Sequence, residues 1–481
     1  MKSLLLLLLH LGIYLSMYSQ TLTLNPSYQS IGICITDIGN ADSCKIEYKK
    51  QSSTKWVTGF SPDKIILSGS SQFRGSLFLL EESTKYDVQL TIYTTGIASK
   101  LPISTTSTLS SPNFKAGNNI KWVSPNGKGN LYTEENPGNI TTLFSSGLVE
   151  CGTTIFLTNG VFTQNGLNLN ITTNCTEATP ICIMAAPGAK PIVDGGISTA
   201  LVWKQHPSDS KLFSAAIPST AAYSTLCILD NAALYAYPSL TPKTFLGGYN
   251  LSALNFGYDG FVRDGNTIWI KTNAGINPNT SSVTLSTAFC FLTVYGKNNN
   301  AYLKVKGIEF KHFGKPILNA GGAYSATVFD IRNAHFVYFD SCKFLYNTSN
   351  ISFSSQCNNL FIQNSTFKHD VGKWSHAMIK KSLFYVHNFL NSIATSRGRA
   401  IEEAAIFSDL GKNITVRYNI FDGMNSGIAG SYDRGLNEDV DIYENTFVDN
   451  FDAIECDGYW TNLRVWKNEI IRPMAGISAA P

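Results

Sequence analysis

Late in the chain Glu455 and Asp457 stand two residues apart, and Glu402 precedes them by two coils of a repeat described below. On an extended strand the first pair would hold their Cα atoms about 6.6 Å apart, and Glu402 and Glu455, two rungs apart, roughly 9.6 Å. Hydrolysis of a glycosidic bond with inversion asks for one carboxyl as acid and another to activate water, about 6.5–9.5 Å away. Either pair is compatible. Asp452, Glu455 and Asp457 together offer the hard oxygen donors of a Ca²⁺ site. Elimination from a uronate needs other parts: a cation or metal that neutralises the carboxylate and acidifies the neighbouring C–H, then a base. Arg399, His376, Lys380 and Lys381 are the candidates near the acids. Outward acids and a turn lysine pair also suit a merely solvated surface, and residue type alone leaves that open.

These side chains need a scaffold, and from Leu303 onward the chain repeats. Ile308, Cys342, Ser365, Asn388, Asn419, Asn445 and Asn468 form one column. Five residues before it stand Leu303, Val337, Leu360, Leu383, Ile414, Val440 and Leu463; three before, Val305, Phe339, Ile362, Tyr385, Val416, Ile442 and Val465. Two after it stand Phe310, Phe344, Phe367, Leu390, Phe421, Phe447 and Ile470. Offsets of two mean alternation on strands, and the phase shift across the column means a tight turn between them. Asn suits that turn because it tolerates left-handed backbone and its amide can bond to the Asn stacked on it. Each repeat is one coil, and stacking buries ladders that no single coil could bury. A leucine-rich solenoid would need regular leucines and a convex helical side, which are missing. A third strand follows in each coil, with Met378, Ile401, Ile428, Ile454 and Ile477 inward, each preceded by a small residue. Alternation then turns Glu402, Glu455 and Asp457 outward, with Arg399 and Asp452 at equivalent strand starts and His376 one coil earlier. Asp433 and Arg434 lie on a loop over this strip, and Trp460 and Trp466 could stack on a sugar ring.

Upstream, WVSPNGKGN (122–130), ENPGN and CGTTIFLTNGVF (151–162) resemble the opening coils of pectate-lyase-like proteins. The resemblance implies a right-handed parallel β-helix over 118–481, with the third strand's outer face and its flanking loops as the substrate groove. Lys381-Ser382 resembles the Lys-Ser step of alginate-lyase and chondroitinase-B-type enzymes, which implies Lys381 as base; the arginine those enzymes carry on the next rung has Arg399 as its nearest counterpart. Residues about 199–298 break the repeat and read as a β-rich insertion, with a hairpin at Asp264-Gly265-Asn266-Thr267. Residues 22–108 alternate as short strands, and Leu80-x-x-x-Thr84-x-Tyr86-x-Val88 resembles the end of a fibronectin type III domain. That implies an immunoglobulin-like β-sandwich whose Tyr hydroxyl satisfies backbone at a strand corner. The Ser/Thr/Pro-rich stretch that starts at Ser104 supplies the linker 109–117. The fold class is therefore all-β, a sandwich followed by a solenoid.

Residues 1–20, with Lys2, the apolar stretch Leu4 to Leu15 and a polar step to Gln20, have the layout of a secretory signal peptide. No later stretch is long and apolar enough for a membrane span. The formal net charge of +3 and the lack of basic stretches with interleaved aromatics argue against nucleic acid. Ten cysteines in an exported chain allow disulfides, with Cys34/Cys44 and Cys175/Cys182 close enough in sequence for local bridges. Asn-X-Ser/Thr sequons such as Asn170, Asn347 and Asn413 permit glycosylation in a eukaryotic host. The chain stops at Ser478-Ala479-Ala480-Pro481 inside a third strand, without a capping element, which predicts further coils. Two functions follow. One is a secreted carbohydrate-active enzyme, lyase or hydrolase, working on extracellular polysaccharide; the other is a non-catalytic surface protein that binds glycan or protein.

Overall fold

The structure, a computed structural model, describes residues 20–67, 69–164, 166–198, 201–217, 226–236, 240–241, 252, 259–314, 327–370, 404–430 and 436–479. The leader read at 1–20 falls outside this set except for Gln20. Two compact units divide between Asn113 and Phe114.

In the first unit, strands Thr21–Pro26, Ser30–Thr36, Ser70–Phe78 and Asp63–Leu67 lie side by side in that order, all antiparallel. A second antiparallel sheet runs Val57–Thr58, Ser43–Lys50, Lys85–Thr94, Ile97–Lys100. Alternation sends Ile31, Ile33, Ile35, Phe73 and Leu77 from the first sheet against Ile46, Val88, Leu90 and Ile92 from the second, which makes one shared core. The Tyr86 hydroxyl accepts the Glu81 N–H at 2.9 Å. Ser104–Ser107, part of the Ser/Thr/Pro-rich stretch, pairs with Lys85–Thr94 as a strand, and the Thr105 hydroxyl donates to Asp87 at 2.7 Å.

The second unit is a parallel β-helix. One long sheet runs through Asn119–Val123, Thr153–Leu157, Ile181–Ala185, Leu292–Lys306, Phe329–Asp340, Ile351–Gln363, Ala404–Arg417, Ser426–Gly430, Asp452–Glu455 and Ala475–Ser478; its successive pairs are parallel. An eight-stranded sheet, also parallel, runs from Gly160–Thr163 to Glu469–Ile471. In the long strands the third strand of one coil continues, through a register shift, into the first strand of the next. Like sits on like. Val305, Phe339, Ile362, Val416 and Ile442 are in register and fully buried. Across from them Phe344, Phe367, Phe421 and Phe447 stack as near-parallel rings, with centroids 4.8, 4.9 and 4.7 Å apart, the rung spacing itself. The small residues before the third-strand isoleucines answer to this ladder: a Cβ on Gly427 would come within 2.7 Å of the Phe447 ring.

The turn column is a hydrogen-bonded ladder. Asn419 Oδ1 accepts from the N–H of Ser365 at 2.9 Å, Asn445 Oδ1 from that of Asn419 at 3.0 Å, and Asn468 Oδ1 from that of Asn445 at 3.0 Å. Left-handed backbone falls one residue earlier than expected, at Ser341, Asn364, Tyr418, Glu444 and Lys467. The asparagines thus serve through their amides rather than through φ.

The repeat needs one correction. Leu360 pairs directly with Ile414 and Thr366 with Ile420, so the coil expected from Leu383, Tyr385, Asn388 and Leu390 does not intervene between those rungs. Residues 371–403 themselves lie outside the described set. Apolar alternation can be met by any strand, and only hydrogen-bonded register tells a rung from a segment that imitates one.

The excursion begins at Gly196–Ser198 and returns at Leu292. It forms two small sheets, Gly196–Ser198, Val283–Ser286, Cys227–Leu229, Ala232–Ala233 and Lys204–His206, Asp209–Ala216, Thr267–Lys271, Gly260–Asp264, Tyr235–Ala236. These share a core of Trp203, Phe213, Phe261, Ile268, Ile270 and Leu285. Gly265, at φ 56°, turns the expected hairpin. One short helix, Ile140–Ser145, is capped by Asn139, whose Oδ1 accepts from the N–H groups of Thr141 and Thr142. The disulfide is Cys151–Cys175, and Cys34, Cys44 and Cys182 are in no disulfide. Neither bridge suggested by sequence proximity forms: Cys175 is taken by Cys151 while Cys182 packs with Phe156 and Met184, and the Cys34 thiol donates to Gln72 Oε1 at 3.5 Å. Burial pushes the Cys44 thiol up to about 12.

Candidate functional site

The third-strand positions hold Phe329, Ile351, Ile406, Ile428, Ile454 and Ile477 in one column. Phe329 meets the Phe310 and Phe344 rings, so this column faces the core. The next residue on each strand belongs to the opposite face. That outer column reads Thr293, Asp330, Ser352, Phe407, Ala429, Glu455, Ser478. Asp330 and Glu455 are four rungs apart, about 19 Å. Ile406, not Ile401, stands beside Ile428, so Phe407 holds the register place expected for Glu402, two rungs from Glu455. Glu402, Arg399, Lys381, His376, Asp433 and Arg434 lie outside the described residues.

Glu455 is on the outer column as alternation required, yet it is buried rather than open to a groove. Its Oε2 accepts from the Ser426 hydroxyl at 2.9 Å, the kind of partner a carboxylate taken out of water must find. Asp457 lies half-buried beyond the strand end, and its carbonyl accepts the Trp460 indole N–H at 2.9 Å. The Trp460 ring fills the space over Gly430, where a Cβ would come within 2.6 Å of Cζ2. The expected sugar platform is thus a packed ring. Trp466 stacks on Tyr443 at 4.3 Å.

Asp452, Glu455 and Asp457 do not converge. Among the described residues no three His, Cys, Asp or Glu side chains form a metal-ligand group. Glu455 is turned to the Ser426 hydroxyl, and Asp457 falls past the strand end.

Three rungs of the outer face carry a cluster that the sequence reading did not single out. Arg332 Nε and Nη2 both donate to Asp330 Oδ2, at 2.9 and 2.6 Å, and the Ser354 hydroxyl approaches Asp330 Oδ1 at 3.4 Å. The guanidinium lies 5.5 Å from the Tyr295 ring centroid. Hydrogen bonding to Asp330 holds the Arg332 pKa above its usual value against partial burial. Asp330 is buried while the Arg332 side chain remains 36% exposed, so a fixed positive group with an aromatic face beside it reaches solvent. Asp-x-Arg two residues apart on a strand was legible as a same-face pair, but it belongs to an earlier coil than the acids that drew attention.

No family model matches the chain, and no curated protein is similar to it. Among solved structures the chain is similar to XylC in complex with xylose, at 13% identity and TM-score 0.39 over 72% of this chain and 70% of that one. It is also similar to pectate lyase Pel9A, at 12% identity and TM-score 0.27 over 77% and 80% of the two chains. A GH family 64 laminaripentaose-producing β-1,3-glucanase from Paenibacillus barengoltzii matches at 13% identity and TM-score 0.15 over 24% and 29%. Among the described residues no helix is long and apolar enough to cross a membrane.

Proposed function

We propose that this is a secreted protein that takes acidic extracellular polysaccharide against the outer face of its long sheet and cleaves it, by lyase or hydrolase chemistry. The observation that carries this reading is the Arg332 guanidinium, clamped by Asp330 and flanked by Tyr295 and Ser354. A planar cation fixed in place recognises carboxylate bidentately, and an aromatic face beside it suits the C–H face of a sugar ring. Rungs about 4.8 Å apart repeat at close to the length of one sugar unit, so successive coils can meet successive residues of a glycan. The N-terminal unit, read as a fibronectin type III-like module, would act as spacer or docking element.

A second reading, non-catalytic binding of glycan, draws on a specific observation: Asp330 and Glu455 are each already engaged, by Arg332 and Ser426. Incubation of the purified full chain with alginate, polygalacturonate, chondroitin sulfate and neutral glycans separates the two. Cleavage that R332A abolishes supports the enzyme. Retention of acidic glycan without any product supports the binder. Neither retention nor product sinks both.

A further inference from the structure

The strands of the eight-stranded sheet end in a corner that carries titratable rings. Lys311, Leu345, Lys368, Asp422, Val448 and Ile471 are in register. The residues that follow them therefore stack as a corner column that begins His312, Tyr346, His369. The His312 and Tyr346 rings lie 6.3 Å apart at 28°, and Tyr346 and His369 6.2 Å apart.

His312 is held, not loose. Its Nδ1 is 2.9 Å from Asp194 Oδ1, which also accepts the Gly196 N–H at 2.8 Å, and Lys311 Nζ is 3.6 Å from the other carboxylate oxygen. Burial works against ionisation of Asp194, but His312, the Gly196 amide and Lys311 together hold its carboxyl below the usual range. A carboxylate acceptor at Nδ1 keeps the imidazole proton there and leaves Nε2 as an acceptor. Among the described residues neither His312 Nε2 nor the Tyr346 hydroxyl has a hydrogen-bond partner. Both side chains are only partly buried.

The excursion leaves the helix at this spot. A Cβ on Gly196 would come within 2.9 Å of His312 Cβ, so the first strand of the insertion passes the dyad as closely as glycine permits. Thr287 and Ala288 bond back to the Gly195 carbonyl, and Asp370, next to His369, accepts the Ala233 N–H at 3.1 Å. Leu226, Ile228 and Ala233 pack against Tyr346. The insertion thus builds one wall beside the column, which limits water on that side.

We infer that this corner is a proton-transfer site for β-elimination from a uronate unit, with His312 as base, Tyr346 as acid and Asp194 as the positioning residue. The inference rests on the reading that the chain cleaves acidic polysaccharide. His312 Nε2 takes the proton from the carbon beside the carboxylate; that C–H electron pair becomes the new C=C bond. The bond from the adjacent carbon to the glycosidic oxygen breaks, and Tyr346 gives its proton to the departing oxygen. The imidazolium then returns a proton to the tyrosinate through solvent, so no oxidant, reductant or water is consumed. Lys311, which lies 3.6 Å from Asp194, would turn from that carboxylate to neutralise the substrate's. Acid and base act from one side, so the elimination is syn.

The test uses the full chain with mannuronate-rich alginate and with chondroitin sulfate, in whose uronates the C5 hydrogen and the C4 oxygen lie cis, following both the ultraviolet absorbance of the unsaturated product and total reducing ends. H312Q and Y346F, which keep a side chain of similar bulk, should each lower turnover about 100-fold or more, with thermal midpoint within a few degrees of the parent. D194N should lower kcat with KM little changed. Unsaturated product at parental rate from H312Q or Y346F overturns the corner and leaves the polysaccharide reading standing. Reducing ends without unsaturation do the same. No product from either glycan overturns the corner, and no retention besides removes the reading beneath it.

Discussion

Asn445→Ala probes the ladder that pins the coils in register. Asn445 is fully buried. Its Oδ1 accepts from the N–H and Nδ2 of Asn419, both at 3.0 Å, and its Nδ2 donates to Val416 O, Tyr443 O and Asn468 Oδ1 at 2.9, 3.1 and 3.0 Å. Each such bond contributes about 0.5–1.5 kcal/mol net, and each buried partner left unsatisfied costs about 1–3 kcal/mol. The bonds share atoms, so the terms do not simply add; a loss on the order of 3–5 kcal/mol is expected. Asn468 makes three ladder bonds and is only half-buried. Water can replace part of what N468A removes, and its cost should stay near 1–2 kcal/mol. N445D, which turns a carboxylate toward two carbonyls, should cost at least as much as N445A. Guanidinium unfolding followed by tryptophan fluorescence reads the difference, since Trp466 stacks directly on Tyr443. Equal midpoints for N445A and N468A, or a loss below about 1 kcal/mol for N445A, would refute the claim that side-chain amides hold the rungs.

Phe421→Ala removes a ring stacked between Phe367 and Phe447 and should cost about 3–5 kcal/mol by calorimetry or denaturant unfolding, whereas F421L should cost less than half of that. Replacing Cys151 and Cys175 by serine opens the disulfide that spans 24 residues and should lower stability by about 3 kcal/mol; thiol labelling of the parent without reductant should leave those two sulfurs unmodified. The depressed folded-state pKa of Asp194 means its contribution is complete above the ordinary aspartate range and disappears as pH falls through the lowered value. D194N should therefore flatten that acid-side decline in a stability–pH profile, and an unchanged slope would count against an ionised Asp194.

The sequence alone determined that the chain is a solenoid of strands. A period-two pattern that recurs with the same phase in coil after coil leaves stacking as the way to bury every ladder, and the phenylalanine and asparagine columns were visible as letters before they were visible as rings and amides. Local chemistry was legible too: the Tyr86 corner and the Gly265 hairpin depend on neighbours a few residues away. Register was not legible. Whether Ile401 or Ile406 stands beside Ile428, and whether a coil lies between Leu360 and Ile414, depends on hydrogen bonds between segments 22 residues apart in the first case and 54 in the second, and an apolar alternation fits several alignments equally well. The same holds for the sites. Alternation could place Glu455 on the outer face, but only tertiary structure gave it Ser426 and took it out of water. Asp194 and His312 stand 118 residues apart and meet because an insertion leaves the helix at one rung and the next coil closes beneath it. Such a pairing is set by topology and has no local signature for a sequence to carry.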